Sequence, residues 1–202
     1  MIFLLTSLIF SCSFFVGCNN ASSLSCDSLL LGTVKQGDII FLEGRTLRGT
    51  AVRVLEPGGN PLSHLGIIVL SEKGCDIVHA DPTHQRDGKA KVTREPLSSL
   101  LRRQKIGRYS LYRPSDTHRA SRAAQWAQYQ VNTHTPFDNA FDLESDTALY
   151  CTELVWKAYL NAGVDISGGK RDTIPTPLGT LQVLFPIRIM KSTKLKHILS
   201  YP

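Results

Sequence analysis

Three features of the chain predict an α+β fold with an antiparallel sheet. A continuous apolar run, His64 to Leu70, is followed by a Lys73-Gly74 turn and a second run, Asp76 to Ala80, so the pair reads as a hairpin. Ala120, Ala123, Ala124, Ala127 and Val131 then repeat at helical spacing. After Cys151, Leu154, Val155, Ala158 and Ala162 mark one face of a second helix. Strands come first, then a helix pair, then a closing strand.

The N-terminus reads as an address. Met1 to Val16 is almost entirely apolar and is followed by Gly17-Cys18-Asn19-Asn20. That length is short for a membrane span and suits the apolar region of a signal peptide. Phe15-Val16-Gly17-Cys18 resembles a bacterial lipobox, with Cys18 the residue to be lipidated. No Lys or Arg precedes the apolar run, and Phe15 stands where Leu is usual. Cleavage near Ala21 to Ser25, or an uncleaved anchor, therefore stays open. All three readings place the domain outside the cytoplasm, at a bacterial cell envelope and on its periplasmic side. The predicted organisation is a lipoprotein-type signal peptide over 1–18, a short tether over 19–34, and one domain over 35–202. No repeat, low-complexity tract or linker interrupts that domain.

Composition narrows the class. With 202 residues and 42% hydrophobic content, the chain is long and apolar enough for a folded core. The formal charge is +6, and no charged side chain precedes Asp27. The basic residues are scattered, with short clusters at Arg102-Arg103-Lys105 and Lys191 to Lys196. A solvated face explains most of this; attraction to anionic phospholipid or cell-wall polymer is the second reading. No nucleic-acid motif accompanies the charge, so that partner is not expected.

Within the domain, Lys35-Gln36-Gly37-Asp38 is a turn into a short buried strand, Ile39 to Leu42. Residues 44–62 read as irregular, with Pro57-Gly58-Gly59-Asn60-Pro61 forcing turns. A short helix is expected over 95–104 and a strand over Arg108 to Tyr112. Asp116 is the N-cap of a helix over 118–132. Thr133 to Asp146 lacks periodicity and reads as a loop feeding the Cys151 helix. Pro175, Pro177 and Gly179 break the chain again, and Leu181 to Met190 is expected as the last strand.

Cys151 opens its helix, where unpaired backbone N–H groups favour a thiolate. Taken alone it is more commonly a small buried hydrophobe. A nucleophile needs a base and a group that orients the base. Of the six histidines, His64 is the best base, since it opens a buried strand. His79 closes the hairpin partner, which puts both rings near one end of the sheet. Gly66 permits a close approach there. Cys26 and Cys75 remain as a pair that an oxidising compartment could bridge. No C-x₂-C pair exists and the histidines lack metal-ligand spacing, so no metal or other cofactor is expected.

In combination these segments resemble the circularly permuted NlpC-type, papain-like cysteine hydrolases, in particular the YiiX/YaeF group. The matching residues are Gly37 to Phe41, Ser63-His64-Leu65-Gly66-Ile67, Val78-His79-Ala80, Pro136-Phe137-Asp138 with Phe141, and Tyr150-Cys151-Thr152-Glu153-Leu154-Val155. The resemblance spans roughly residues 35–190. It implies a papain-like fold with Cys151 as nucleophile, His64 as general base and His79 as the residue orienting His64. Tyr150 and the Cys151 backbone N–H are implied at an oxyanion or substrate position. Related sequences often have Glu-Ala where this chain has His79-Ala80, so a negative charge beside His64 is missing. The expected activity is an envelope amidase or peptidase that cleaves amide bonds. Murein peptides fit the location; lipid-linked acyl groups, with hydrolysis or transfer, fit the permuted branch. A non-catalytic envelope binding module is the rival from another class.

Overall fold

The computed structural model describes residues 29–44, 54–56, 58–72, 74–86, 89–177 and 179–202. The expected signal peptide, the lipidation residue Cys18, Cys26 and most of the expected tether lie outside these residues.

The main sheet has six strands: β1 (Ile39–Leu42), β2 (His64–Ser71), β3 (Gly74–Arg86), β4 (Lys89–Pro96), β5 (Tyr109–Pro114) and β8 (Leu195–Tyr201). Their order is β4-β3-β2-β1-β5-β8, and every neighbouring pair is antiparallel. A separate ribbon pairs β6 (Asp172–Thr176) with β7 (Gly179–Val183). The helices that frame the sheet are α1 (Leu97–Arg103), α2 (Thr117–Asn132), α3 (Cys151–Asn161) and the short α4 (Pro186–Met190), and residues 29–33 add a further helical turn.

Side-chain alternation splits the sheet between two cores. On one face Ile39, Phe41, Leu65, Ile67, Val78, Ala80 and Val92 pack with α2 and α3. On the other, Ile40, Leu42, Ile68 and Ile77 pack with α1 and with Leu30 and Val34. β1 is buried at every residue because both faces are covered. Leu30 is fully buried, so the fold begins earlier than the boundary at residue 35 placed it.

The α2 alanines let that helix sit close to the sheet and to α3. Asp116 caps α2 as expected, accepting the Arg119 N–H at 3.0 Å. Gly37 takes a positive φ of 79°, and a Cβ there would lie 2.3 Å from the Ala120 carbonyl oxygen. Asp38, next to it, is buried and accepts from Lys35 N–H and from both Arg113 Nε and a terminal nitrogen, at 2.7–2.8 Å. The Gly37-Asp38 motif thus joins β1, β5 and α2.

Three expectations need correction. Leu181 to Met190 is not one strand: β7 ends at Val183, and Pro186 starts α4, where its missing N–H costs nothing. Residues 172–176 are a strand despite Pro175, because a two-stranded ribbon is all edge and tolerates proline. Two further strands were not anticipated, β4 and β8, and both form the sheet's edges. Lys194, just before β8, and Lys196 within it add charge where an unpaired strand edge invites aggregation.

Gly66 carries a testable consequence. A Cβ there would lie 2.6 Å from Ile77 Cγ1 and 2.7 Å from the Val78 carbonyl oxygen. Backbone cannot yield as a side chain can. Gly66→Ala should lose about 1–3 kcal/mol of stability, the usual penalty of overpacking. Urea unfolding measures it, and an unchanged midpoint would contradict the packing described.

Candidate active site

Cys151 is the first residue of α3, with Tyr150 as its extended N-cap. Glu153 returns to accept the Tyr150 N–H at 3.3 Å, half of a capping box. The Glu153 carboxylate is fully buried and lies 2.9 Å from Lys157 Nζ. Lys157 also donates to the Ser145 carbonyl at 2.5 Å and to Asp146 Oδ1 at 2.7 Å. The loop before Cys151 is therefore clipped to the helix it feeds. Burial pushes the Glu153 carboxyl up to about 7, against the pull of Lys157. Glu153 is thus part of the helix start, not a group facing substrate.

Asp138 closes the turn that follows Phe137, accepting from the Ala140 and Asp142 N–H groups at 2.7 Å each. Phe141 takes a φ of 57° and its ring tilts over Tyr150 at 5.1 Å. The Pro136-Phe137-Asp138 and Phe141 segment therefore builds a wall beside the cysteine.

His64 opens β2 and His79 lies in β3. In the β3–β4 register His79 faces Thr93 and Ile77 faces Glu95, so His79 and Glu95 are diagonal neighbours on one face. The rings meet: His64 Nε2 lies 2.9 Å from His79 Nδ1. His79 Nε2 lies 3.0 Å from Glu95 Oε1. Arg103, in the last turn of α1, donates to the same oxygen at 2.7 Å. His79 is fully buried. Burial alone would raise the Glu95 carboxyl; His79 and Arg103 bring it below the usual carboxylate range.

This line of side chains runs across the face covered by α1, whereas Cys151 belongs to the helix layer on the other face. The two meet at the end of β2, where the Leu65 backbone N–H points at the Cys151 sulfur. Cys151 and His64 open into one cleft of about 380 Å³. Asp81 lines it as well, its carboxylate accepting from Thr83 and from Gln104 at 2.7–2.8 Å. The rest of the lining is mostly apolar, with Phe137, Phe141, Leu184 and Phe185 prominent.

The electrostatics differ from the expectation for a helix N-terminus. Burial pushes the Cys151 thiol up to about 11, although hydrogen bonds from Thr152 and Leu65 pull the other way. Burial, followed by the neighbouring His79 ring, brings the His64 imidazole down to about 4. Desolvation outweighs the helix dipole, because the charged forms lose water in an apolar cleft. At neutral pH both groups rest uncharged.

Tyr150 is also placed differently from its expected oxyanion role. Its hydroxyl accepts the Leu184 N–H at 2.8 Å and is aimed at the Leu184 carbonyl, and its own N–H is taken by Glu153. Tyr150 still lines the cleft beside Cys151, with its hydroxyl and its N–H engaged by other groups. The backbone N–H of Cys151, at the first helical position, has no intrahelical acceptor and is the donor left in place.

A helix-borne cysteine beside a strand-borne imidazole, with the helix packed on an antiparallel sheet, defines a papain-like cysteine hydrolase. The base precedes the nucleophile in the chain, which is the permuted order. The protein belongs to the family of permuted papain-like amidase enzymes, YaeF/YiiX, C92, whose model matches residues 33–173. A crystal structure of metalloprotein yiiX from Escherichia coli O157:H7 is similar, with a TM-score of 0.67 and 23% identity. The match covers 83% of this chain and 98% of that one, and at this identity it shows the fold. No curated protein matches the chain. Among the described residues here, no group of three or more His, Cys, Asp or Glu is placed to hold a metal ion.

The structure thus brings together Cys151, His64 and His79, the three positions carried by the sequence motifs. It adds Glu95, Arg103 and Asp81, which sequence reading missed. The signal for Glu95 was present: Ala90 and Val92 alternate with Lys91, Thr93 and Glu95, a half-buried strand pattern ending at Pro96. Cys75 is half-buried and has no disulfide to a described residue.

The raised thiol predicts slow alkylation. Iodoacetamide should modify Cys151 slowly at pH 7, and the rate should climb about tenfold per pH unit without levelling through pH 10. A plateau near pH 8.5, the value for a free thiol, would show that burial does not control the sulfur.

Proposed function

We propose that the protein is a cysteine amidase that forms a thioester between Cys151 and the acyl half of its substrate. The observation that supports this most strongly is the hydrogen-bonded line behind His64, which leaves one imidazole nitrogen to face the cleft that holds Cys151.

The neutral resting state shapes the mechanism. No thiolate–imidazolium pair waits for substrate. The proton leaves sulfur for His64 as Sγ attacks the acyl carbonyl, which is general-base catalysis. The carbonyl oxygen becomes anionic, and the Cys151 N–H at the helix start is the donor nearest to it. His64 then gives its proton to the leaving nitrogen. Water, activated by the same imidazole, releases the acid and restores the thiol. Another acceptor in place of water would make the same site a transferase. Asp81 favours the imidazolium and opposes the thiolate, so it suits a reaction in which the thiol proton moves to His64 only as sulfur attacks.

The cleft lining bears on the substrate. A murein stem peptide is polar and rich in carboxylates, and these walls are apolar with a carboxylate at Asp81. An amide or ester whose acyl group is a hydrocarbon chain fits better, so this is the preferred substrate class and murein peptides are the competing one. A setting at the cell envelope, with Cys18 as a lipid anchor, rests on the apolar Met1 to Val16 run and is part of the same proposal. The substrate classes separate when the purified protein is incubated with peptidoglycan fragments and with N-acyl amino acids of short and long alkyl chains. Mass spectrometry should show release of fatty acid; cleavage of the murein fragments alone would reverse the preference.

Two further outcomes are expected. Cys151→Ala should abolish turnover with the circular dichroism spectrum unchanged; retained turnover removes the nucleophile assignment. The acid limb of kcat/KM against pH should fall near pH 4, since His64 must be neutral to act and its folded value is depressed. A limb near 6.5 would mean that the base is an ordinary solvated histidine.

A further inference from the structure

We infer that Glu95 is a positioning residue that sets the tautomers of both histidines and thereby decides which nitrogen of His64 is basic. The inference deepens the amidase reading and rests on it. A carboxylate can only accept, so the His79 nitrogen 3.0 Å from Glu95 Oε1, Nε2, must carry the proton. A neutral imidazole has one N–H, and Nδ1 of His79 is then an acceptor. The atom facing it at 2.9 Å, His64 Nε2, must be a donor. His64 is left with a lone pair on Nδ1, the only nitrogen it can offer to the cleft.

Without the carboxylate this order is not determined. His79 could carry its proton on Nδ1 and donate to His64 Nε2, which would put the His64 proton on Nδ1 and remove the base. Glu95 therefore does at one remove what an acidic third member does directly. When His64 takes the thiol proton on Nδ1, its Nε2 proton can shift to His79 Nδ1. The positive charge then lies on a buried ring beside Glu95, and proton count is conserved. Arg103 donates to the same Glu95 oxygen at 2.7 Å and holds that carboxylate ionised and in place. The negative charge that seemed absent at position 79 is supplied by the neighbouring strand.

The test uses ¹⁵N-histidine-labelled protein and two variants. Long-range ¹H–¹⁵N correlations should show His64 and His79 both protonated at Nε2 in the wild type at neutral pH. Glu95→Gln, whose amide can also donate, should give mixed or reversed tautomers. Its kcat on an acyl p-nitroanilide should drop about 10²-fold or more with KM unchanged, the scale of lost general-base catalysis. Glu95→Asp keeps the carboxylate and should keep the wild-type tautomers and more of the rate than Glu95→Gln. An Nδ1–H tautomer of His79 in the wild type overturns the inference. So does a Glu95→Gln protein with wild-type tautomers and rate. Equal losses in the two variants, with tautomers unchanged, would also overturn it, since that is a packing effect. The tautomers are read without substrate. A failure of the wild type to turn over therefore counts against the amidase reading, while the spectra still decide this one.

Discussion

The hydrogen bond between His64 and His79 is the contact on which the site depends. It spans two strands, so it exists only if β2 and β3 pair in the observed register. It needs Gly66, since a Cβ there would meet Ile77 and the Val78 carbonyl, beside the His79 strand position. It also needs β4, because His79 is buried and its second nitrogen would be costly to leave unpaired. Glu95 meets that need from the diagonal position. One contact between rings thus ties the register of three strands and the end of α1 to the ring that shares a cleft with Cys151.

Burial is the second governing constraint. The cleft takes water from a thiol and an imidazole together, and each responds by staying neutral. This reverses the usual picture of a cysteine at a helix start, where the dipole lowers the thiol. Here α3 contributes position and one backbone donor more than charge. Its start is held by Glu153 and Lys157, both buried, and by the Tyr150 hydroxyl on the Leu184 backbone. Those groups fasten the loops on either side of the cleft to the helix, which keeps the walls and the sulfur in one rigid arrangement.

Much of this was legible before any coordinates. The Asp116 cap, the alanine face of α2 and the apolar face after Cys151 are local periodic signals, and helices report themselves that way. The hairpin at His64 and His79 was legible because a continuous apolar run and a Lys73-Gly74 turn mark it. Glu95 was not assigned, because its role exists only across a strand pair whose second member, Lys89–Pro96, is mostly polar and mimics a loop. The Pro186 helix was missed because an apolar stretch of strand length hides a proline at the first helical position. The neutral state of Cys151 was missed because a helix start can be read from sequence, whereas the water excluded around it cannot.

The central claim is that Cys151 attacks an acyl carbonyl with His64 as base, and acid-quenched mass spectrometry tests it most directly. Protein stopped during turnover of a long-chain N-acyl amino acid should carry one added acyl group. Peptide mapping should place it on Cys151, and hydroxylamine should remove it as a thioester. His64→Gln should form the adduct far more slowly than the wild type. Turnover that leaves no adduct on Cys151, or an adduct that forms as fast without His64, would contradict the account.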